Sequence, residues 1–233
     1  MIELGHGTHV GLRRTRNEDT YHADVALGLF LVADGMGGHQ HGEVASALVR
    51  NAMVELVSSG LGLIEAVNGA AERLLAHTRP SSDILPMGTT IAALRIAGGC
   101  YEVAWVGDSR IYLWQQALRQ VSHDHSLVQA LIKAGQLDPA QAARHAQRNV
   151  LTQALGVTAT PQLHIGMARG TLEPGMSFLL CSDGLTEDLD DASIARIVAR
   201  TDLTAQECAD QLLLSALDAG GGDNVTVILV RSS

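Results

Sequence analysis

The stretch Leu29-Phe-Leu-Val-Ala-Asp-Gly-Met36 decides how the chain is read. Residues 29–33 are apolar without interruption, and Asp34-Gly35 follows at once. So short an unbroken run suits a strand buried on both faces, stopped by a turn-forming pair. Downstream, residues 42–57 space Val44, Leu48, Ala52 and Leu56 as a helical stripe, with Arg50 and Glu55 off it. A second helix is predicted over residues 63–78. Residues 89–96 and 101–114 read as a strand pair turned at Gly98-Gly99.

Farther on, residues 126–134 form a short helix. Asp138-Pro139-Ala140-Gln141 opens another, with Asp as cap and Pro in the first helical position. Residues 164–168 and 177–182 are strands joined through the turn Glu173-Pro174-Gly175. Thr204-Ala-Gln-Glu207 is a capping box for a helix running to about Leu217 and broken at Gly220–Gly222. Residues 224–231 close the chain as a strand. Antiparallel-looking strand runs interrupted by helix pairs favour an α+β layered domain over a doubly wound parallel sheet.

Composition bounds the function. At 233 residues, one domain spanning 1–233 is expected. The balance of 16 basic against 25 acidic residues gives −9, which argues against nucleic acid and anionic membrane surfaces as partners. Aromatics make up 3%, too few for a base-stacking platform. Cys100, Cys181 and Cys208 are scattered and odd in number, so neither a disulfide framework nor a zinc ribbon is expected, and a reducing cytoplasm is the simplest compartment. Residues 25–33, the longest apolar run, fall short of the roughly 20 that cross a membrane, and the first residues do not form a secretory signal.

The informative pattern is acidic. Asp34 and Asp183 each end an apolar strand and precede a glycine; Asp108 follows Gly107; Asp223 opens the last strand after a glycine run. Taken singly, Asp-Gly is common turn chemistry. Four such residues converging at strand ends would repel one another and raise their pKa values unless a cation sat among them. An all-carboxylate set suits Mg²⁺ or Mn²⁺ rather than zinc. Near the N-terminus, Glu18 and Asp19 adjoin Arg13, Arg14 and Arg16. That loop is either a solvated charged segment or a source of the planar guanidinium fork that binds phosphate.

Eight motifs in order then resemble the metal-dependent protein serine/threonine phosphatases of the 2C type, in their compact bacterial form. They are Gly11-Leu-Arg-Arg14-Thr-Arg-Asn-Glu18-Asp19, Val32-Ala-Asp34-Gly-Met-Gly-Gly38, Gly88-Thr-Thr90, Val106-Gly-Asp108-Ser-Arg110, Asp124-His-Ser126, Arg148-Asn-Val-Leu-Thr152, Cys181-Ser-Asp183-Gly-Leu185 and Gly222-Asp223-Asn-Val-Thr226. The resemblance implies a four-layer α-β-β-α sandwich, two packed antiparallel sheets flanked by helix pairs. It implies that Asp34 bridges two metal ions, that the Gly35 carbonyl binds one of them, and that Asp183 and Asp223 complete the first site. Glu18 and Asp19 would hold the second ion directly or through waters, and Asp108 with Asp183 a weaker third. Arg14 would take the substrate phosphate, and Asn224 would orient Asp223 or a water.

The implied activity is dephosphorylation of phosphoserine and phosphothreonine in proteins by water activated at two Mn²⁺ or Mg²⁺ ions, opposite a bacterial Ser/Thr kinase. The protein is expected to be a monomer. Rival readings are a phosphoprotein-binding pseudo-phosphatase and a regulator-specific signalling phosphatase. Where many relatives carry a proton-donating His after the bridging Asp-Gly, this chain has Met36. A metal-bound water is the first expected donor, with His39 or His41 behind it. Residues 133–148 fall where the family has its flap, and read either as a mobile lid or as an ordinary exposed helix. His123-Asp-His125 is expected to be structural rather than a zinc site.

Overall fold

The fold is described by a computed structural model covering residues 1–37, 41–78 and 87–233. Its strands are β1 (Ile2–His9), β2 (Asp19–Asp24), β3 (Leu29–Met36), β4 (Gly88–Thr89), β5 (Ile91–Ala97), β6 (Cys100–Val106), β7 (Arg110–Trp114), β8 (Leu118–Gln120), β9 (Gly166–Thr171), β10 (Ser177–Cys181) and β11 (Val225–Ser232). Its helices are α1 (His41–Ser58), α2 (Leu63–Thr78), α3 (Leu127–Lys133), α4 (Asp183–Asp188), α5 (Asp191–Val198) and α6 (Ala205–Ala219), with two short 3₁₀ turns.

All strand pairings are antiparallel. One sheet has the order β1-β11-β10-β7-β8, the other β2-β3-β5-β6-β9, with β4 on β3. Three apolar clusters make four layers. Leu29 and Leu31 face α1 and α2. Phe30 and Val32 of the same strand face Phe178, Leu180, Ile228 and Val230 between the sheets. Leu179, Val227 and Leu229 face α5 and α6 on the far side. Central strands therefore read as continuous apolar runs because both faces are covered. The expected sandwich is present, and its second outer layer carries the short α4 beside α5 and α6.

Several sequence readings need correction. In α1 the expected stripe holds at Ala52, Leu48 and Leu56, which lie in or against the core, but Val44 is 40% exposed and the buried face is broader, taking in Ala45, Val49, Met53 and Val57. A Cβ on Gly42 would stand 2.8 Å from the Gly35 carbonyl oxygen, so α1 starts close against the end of β3. The 101–114 run is two strands in different sheets, broken at Gly107 (φ +101°). The 164–168 strand is shifted to Gly166–Thr171, where Gly166 makes room for the Trp105 ring of its neighbour. The Glu173–Gly175 turn joins β9 to β10 as expected, and the two strands belong to different sheets. By contrast, Gly98 and Gly99 do form the β5–β6 turn, both with positive φ.

Candidate metal centre and phosphate site

Both sheets send strand ends to one edge of the sandwich. There β2 begins with Asp19, directly paired with Asp34 near the end of β3. The crossover from β6 to β7 carries Asp108, Ser182 after β10 caps α4 at Asp183, and Asp223-Asn224 precede β11. A cleft of about 690 Å³ opens over this edge; Arg14, Glu18, Asp34, Asp108, Asp183 and Asp223 all line it. Gly35 lines it too, and must be glycine: a Cβ there would meet the Gly42 carbonyl oxygen at 2.1 Å.

The carboxylates are packed against one another. Burial, then the charges of Asp19, Asp183 and Asp108, push the Asp34 carboxyl well above its ordinary value. Burial, then Asp108 and Glu187, do the same to Asp183. Burial and then the Asp124 charge raise Asp108 to about 7. Glu18 is raised by burial, against the pull of Arg14. Asp19 lies beneath the cleft, 8% exposed. Its Oδ2 accepts from Ser182 Oγ and Thr226 Oγ1, both at 2.7 Å. Burial nevertheless raises its carboxyl to about 6, and its Oδ1 is buried with no hydrogen-bond partner.

A buried acceptor without a donor and several carboxylates raised by burial and by one another's charge form an oxygen donor set in need of positive charge. Divalent cations with all-oxygen coordination fit that chemistry. Among the described residues, no group of three or more His, Cys, Asp or Glu side chains already surrounds a single point as an ion would require. The carboxylates lean on each other instead, and Arg14 Nη2 stands 2.5 Å from Asp223 Oδ2, serving as its cation. The charge and residue types fit the ions; side-chain rotations would complete the cage.

Other expected residues fall in varied places. Met36 lines the cleft, and no histidine does so among the described residues. His41 opens α1, and His39 lies outside the described residues. In the suspected flap, 133–148 holds the end of α3 and a 3₁₀ turn at Pro139–Arg144, yet the cleft wall is made by the residues just after it, among them Asn149, Thr152, Gln153 and Val157. Asp124 forms a bidentate pair with Arg110 and accepts from Gln120, a structural role as expected. The Asn224 side chain bonds the backbone of Val10, Arg16 and Glu18, and it is its backbone N–H that donates to Asp223 Oδ1, at 2.8 Å. Ser182, Thr226, Thr90 and Ser109 were inside the quoted motifs but had no assigned role. Thr90 Oγ1 accepts from the Asp34 N–H and bonds Ser109 Oγ; the turn expected at Asp34-Gly35 is absent, because β3 continues to Met36 by pairing with β4.

The family profile described as Protein phosphatase 2C matches residues 7–218. The chain belongs to the protein phosphatase 2C family. Within it, the chain is 37% identical over 227 residues to the serine/threonine protein phosphatase PstP of Mycobacterium tuberculosis, covering 94% of this chain but 43% of that one. It is 35% identical to protein phosphatase PhpP of Streptococcus pneumoniae over 98% of this chain and 97% of that one. This protein phosphatase 2C domain therefore spans less than half of PstP and nearly all of PhpP. A crystal structure of the PstP catalytic domain in complex with two manganese ions has a TM-score of 0.86 to it, at 32% identity over 99% of both chains.

Proposed function

We propose that this chain, as one domain over 1–233, hydrolyses phosphoserine and phosphothreonine in proteins with two Mn²⁺ or Mg²⁺ ions, and a third more weakly held. The observation that carries the reading is the convergence of Asp34, Asp108, Asp183 and Asp223 on one cleft with Glu18 and Arg14, with Asp34 and Asp183 raised by burial and then by their neighbours' charges. Asp34, the Gly35 carbonyl, Asp183 and Asp223 would hold the first ion. Asp34 with Glu18 and Asp19 would serve the second, and Asp108 with Asp183 the third. When bound, such ions acidify water and neutralise charge gathering on phosphorus-bound oxygens.

The chain's own residues do the rest. Arg14, 56% exposed, is free to swing from Asp223 to a phosphate, where its fork takes two oxygens. Ser182 and Thr226 donate to Asp19 and so favour its ionised form, against the burial that favours its protonation. Thr90 fixes the backbone at Asp34. With Met36 beside the site and no histidine on the described cleft wall, a water in the cleft supplies the proton to the departing hydroxyl.

A Ser/Thr kinase acting on the same phosphoproteins is the proposed functional partner, and a reducing cytoplasm the proposed compartment. The three cysteines are unpaired, and no described helix is long and apolar enough to cross a membrane. The protein is proposed to act as a monomer. The test is hydrolysis of a phosphothreonine peptide with Mn²⁺ and with excess chelator. Turnover that chelator abolishes supports the reading. Full turnover in chelator overturns it, and peptide binding without turnover marks a pseudo-phosphatase.

A further inference from the structure

Asn224 is 6% exposed and spends its whole side-chain amide on one segment. Nδ2 donates to the carbonyls of Val10 and Arg16, each at 2.9 Å, and Oδ1 accepts the Glu18 N–H at 2.8 Å. Residues 10–18 lie between β1 and β2 and belong to no strand or helix. They nevertheless carry both Arg14 and Glu18. A segment without a ladder or helix must have its backbone groups satisfied from elsewhere, and here one side chain serves three of them.

The neighbouring contacts give the clamp its direction. The Leu12 N–H donates to the Gly221 carbonyl at 2.8 Å, so the residues leading into β11 hold the segment twice. The Glu18 carbonyl accepts from the Gly35 N–H at 3.1 Å and from Ser46 Oγ at 2.6 Å. Glu18 is thereby pinned between the two sheets, its N–H to one and its C=O to the other. Gly11 has φ +81°, and a Cβ on it would stand 2.2 Å from the Asp223 carbonyl oxygen, so the segment lies against the Asp223-Asn224 backbone.

We propose that Asn224 is a positioning residue: it sets the Arg14 segment at a fixed distance from Asp223, so that the phosphate-binding guanidinium and the acidic cluster face one cleft. This rests on the phosphatase reading above and adds the residue that joins the two halves of its site. Asn224 borders the cleft, but its side-chain amide is spent on the backbone of residues 10–18, so its effect on phosphate runs through Arg14. The part of its effect on phosphate binding that runs through Arg14 must therefore vanish when Arg14 is gone, whereas a purely structural residue would act regardless, and any effect through Glu18 would show in Mn²⁺ binding instead.

The experiment is a double-mutant cycle read by calorimetric binding of inorganic phosphate to the Mn²⁺-loaded protein, with peptide KM and kcat beside it. Asn224→Asp keeps the acceptor for the Glu18 N–H and removes both N–H donors. Its phosphate Kd and its peptide KM are expected to rise about tenfold, with kcat changed less. In an Arg14→Ala background, the same substitution is expected to change the phosphate Kd less than about twofold. Asn224→Ser, which removes the amide without adding charge, gives the same test should the carboxylate prevent folding.

A drop in melting temperature with unchanged phosphate Kd and KM would overturn the proposal, as would equal effects with and without Arg14. Because phosphate binding is read directly, absent turnover in the parent protein would count against the phosphatase reading alone.

Discussion

Replacing Asp108 by Asn tests the electrostatics of the cluster without relying on activity. Asp108 joins β6 to β7 at the floor of the cleft, and burial with the Asp124 charge raises it from 3.8 to about 7. An acid whose folded-state value is raised binds its proton more tightly in the fold than in the unfolded chain. Stability is then undiminished below the unfolded value near 4, and is lost as pH rises toward the folded value near 7. A rise from 3.8 to about 7 corresponds to about 4 kcal/mol at 1.36 kcal/mol per pH unit. Side-chain relaxation and water entry reduce this, so about 2–4 kcal/mol is expected above pH 7.5 in the metal-free chain.

For a chain of this size that is about 5–15 °C in melting temperature. His22 and His125, held low chiefly by burial, contribute the opposite slope below about 6.5. The comparison of Asp108→Asn with the parent at each pH cancels them. Melting in excess chelator from pH 3.5 to 8 should show curves that nearly coincide at the acid end and separate progressively, with the Asn variant more stable at pH 8. Saturating Mn²⁺ should shrink or reverse the gap if Asp108 is the proposed ligand, because the parent's carboxylate would then be compensated while the variant lacked it. A gap independent of pH, or an Asn variant less stable than the parent at pH 8 without metal, would refute the reasoning.

Other outcomes follow from the same geometry. Asp34→Asn should raise the metal-free melting temperature at pH 8, by removing the charge that Asp19, Asp183 and Asp108 all oppose, while lowering Mn²⁺-dependent turnover at least about 100-fold; melting and peptide kinetics together check it. Arg14→Ala should raise peptide KM about tenfold with a smaller loss of kcat, as expected for a group that binds phosphate before and during reaction; steady-state kinetics decide. Ser182→Ala removes one donor to Asp19 and an acceptor for the Thr226 N–H, and should cost about 1–3 kcal/mol of stability and weaken Mn²⁺ binding, measurable by denaturant melts and calorimetry.

What the chain reveals before folding depends on how local the cause is. The β3 strand was legible because five apolar residues in a row have few other uses, and α2 was placed to its terminal residues, Leu63 and Thr78. The β1 strand went unread. Its glycines look like loop signals, yet a Cβ on Gly5 would stand 2.1 Å from the Ala205 carbonyl oxygen, so they exist to admit α6. The β2 strand is mostly polar and was also missed. The close seat of α1 on β3 at Gly42, with Val44 turned outward, is something no helical periodicity contains.

The site divides the same way. Asp34, Asp108, Asp183 and Asp223 announce themselves as acids at the ends of apolar runs. The bond from Ser182 to Asp19 spans 163 positions, and that from Asn224 to Arg16 spans 208. Such pairs are set by which strands neighbour each other, so their residue types alone carry no sign of the partner.

The most direct test is to titrate Mn²⁺ into chelator-stripped protein while following phosphothreonine-peptide hydrolysis and calorimetric binding together. No hydrolysis without metal, and turnover that rises as two ions per chain bind, is the predicted result. Turnover in the stripped protein, or Mn²⁺ binding unaffected by Asp34→Asn, would contradict the assignment of the acidic cluster as the metal centre.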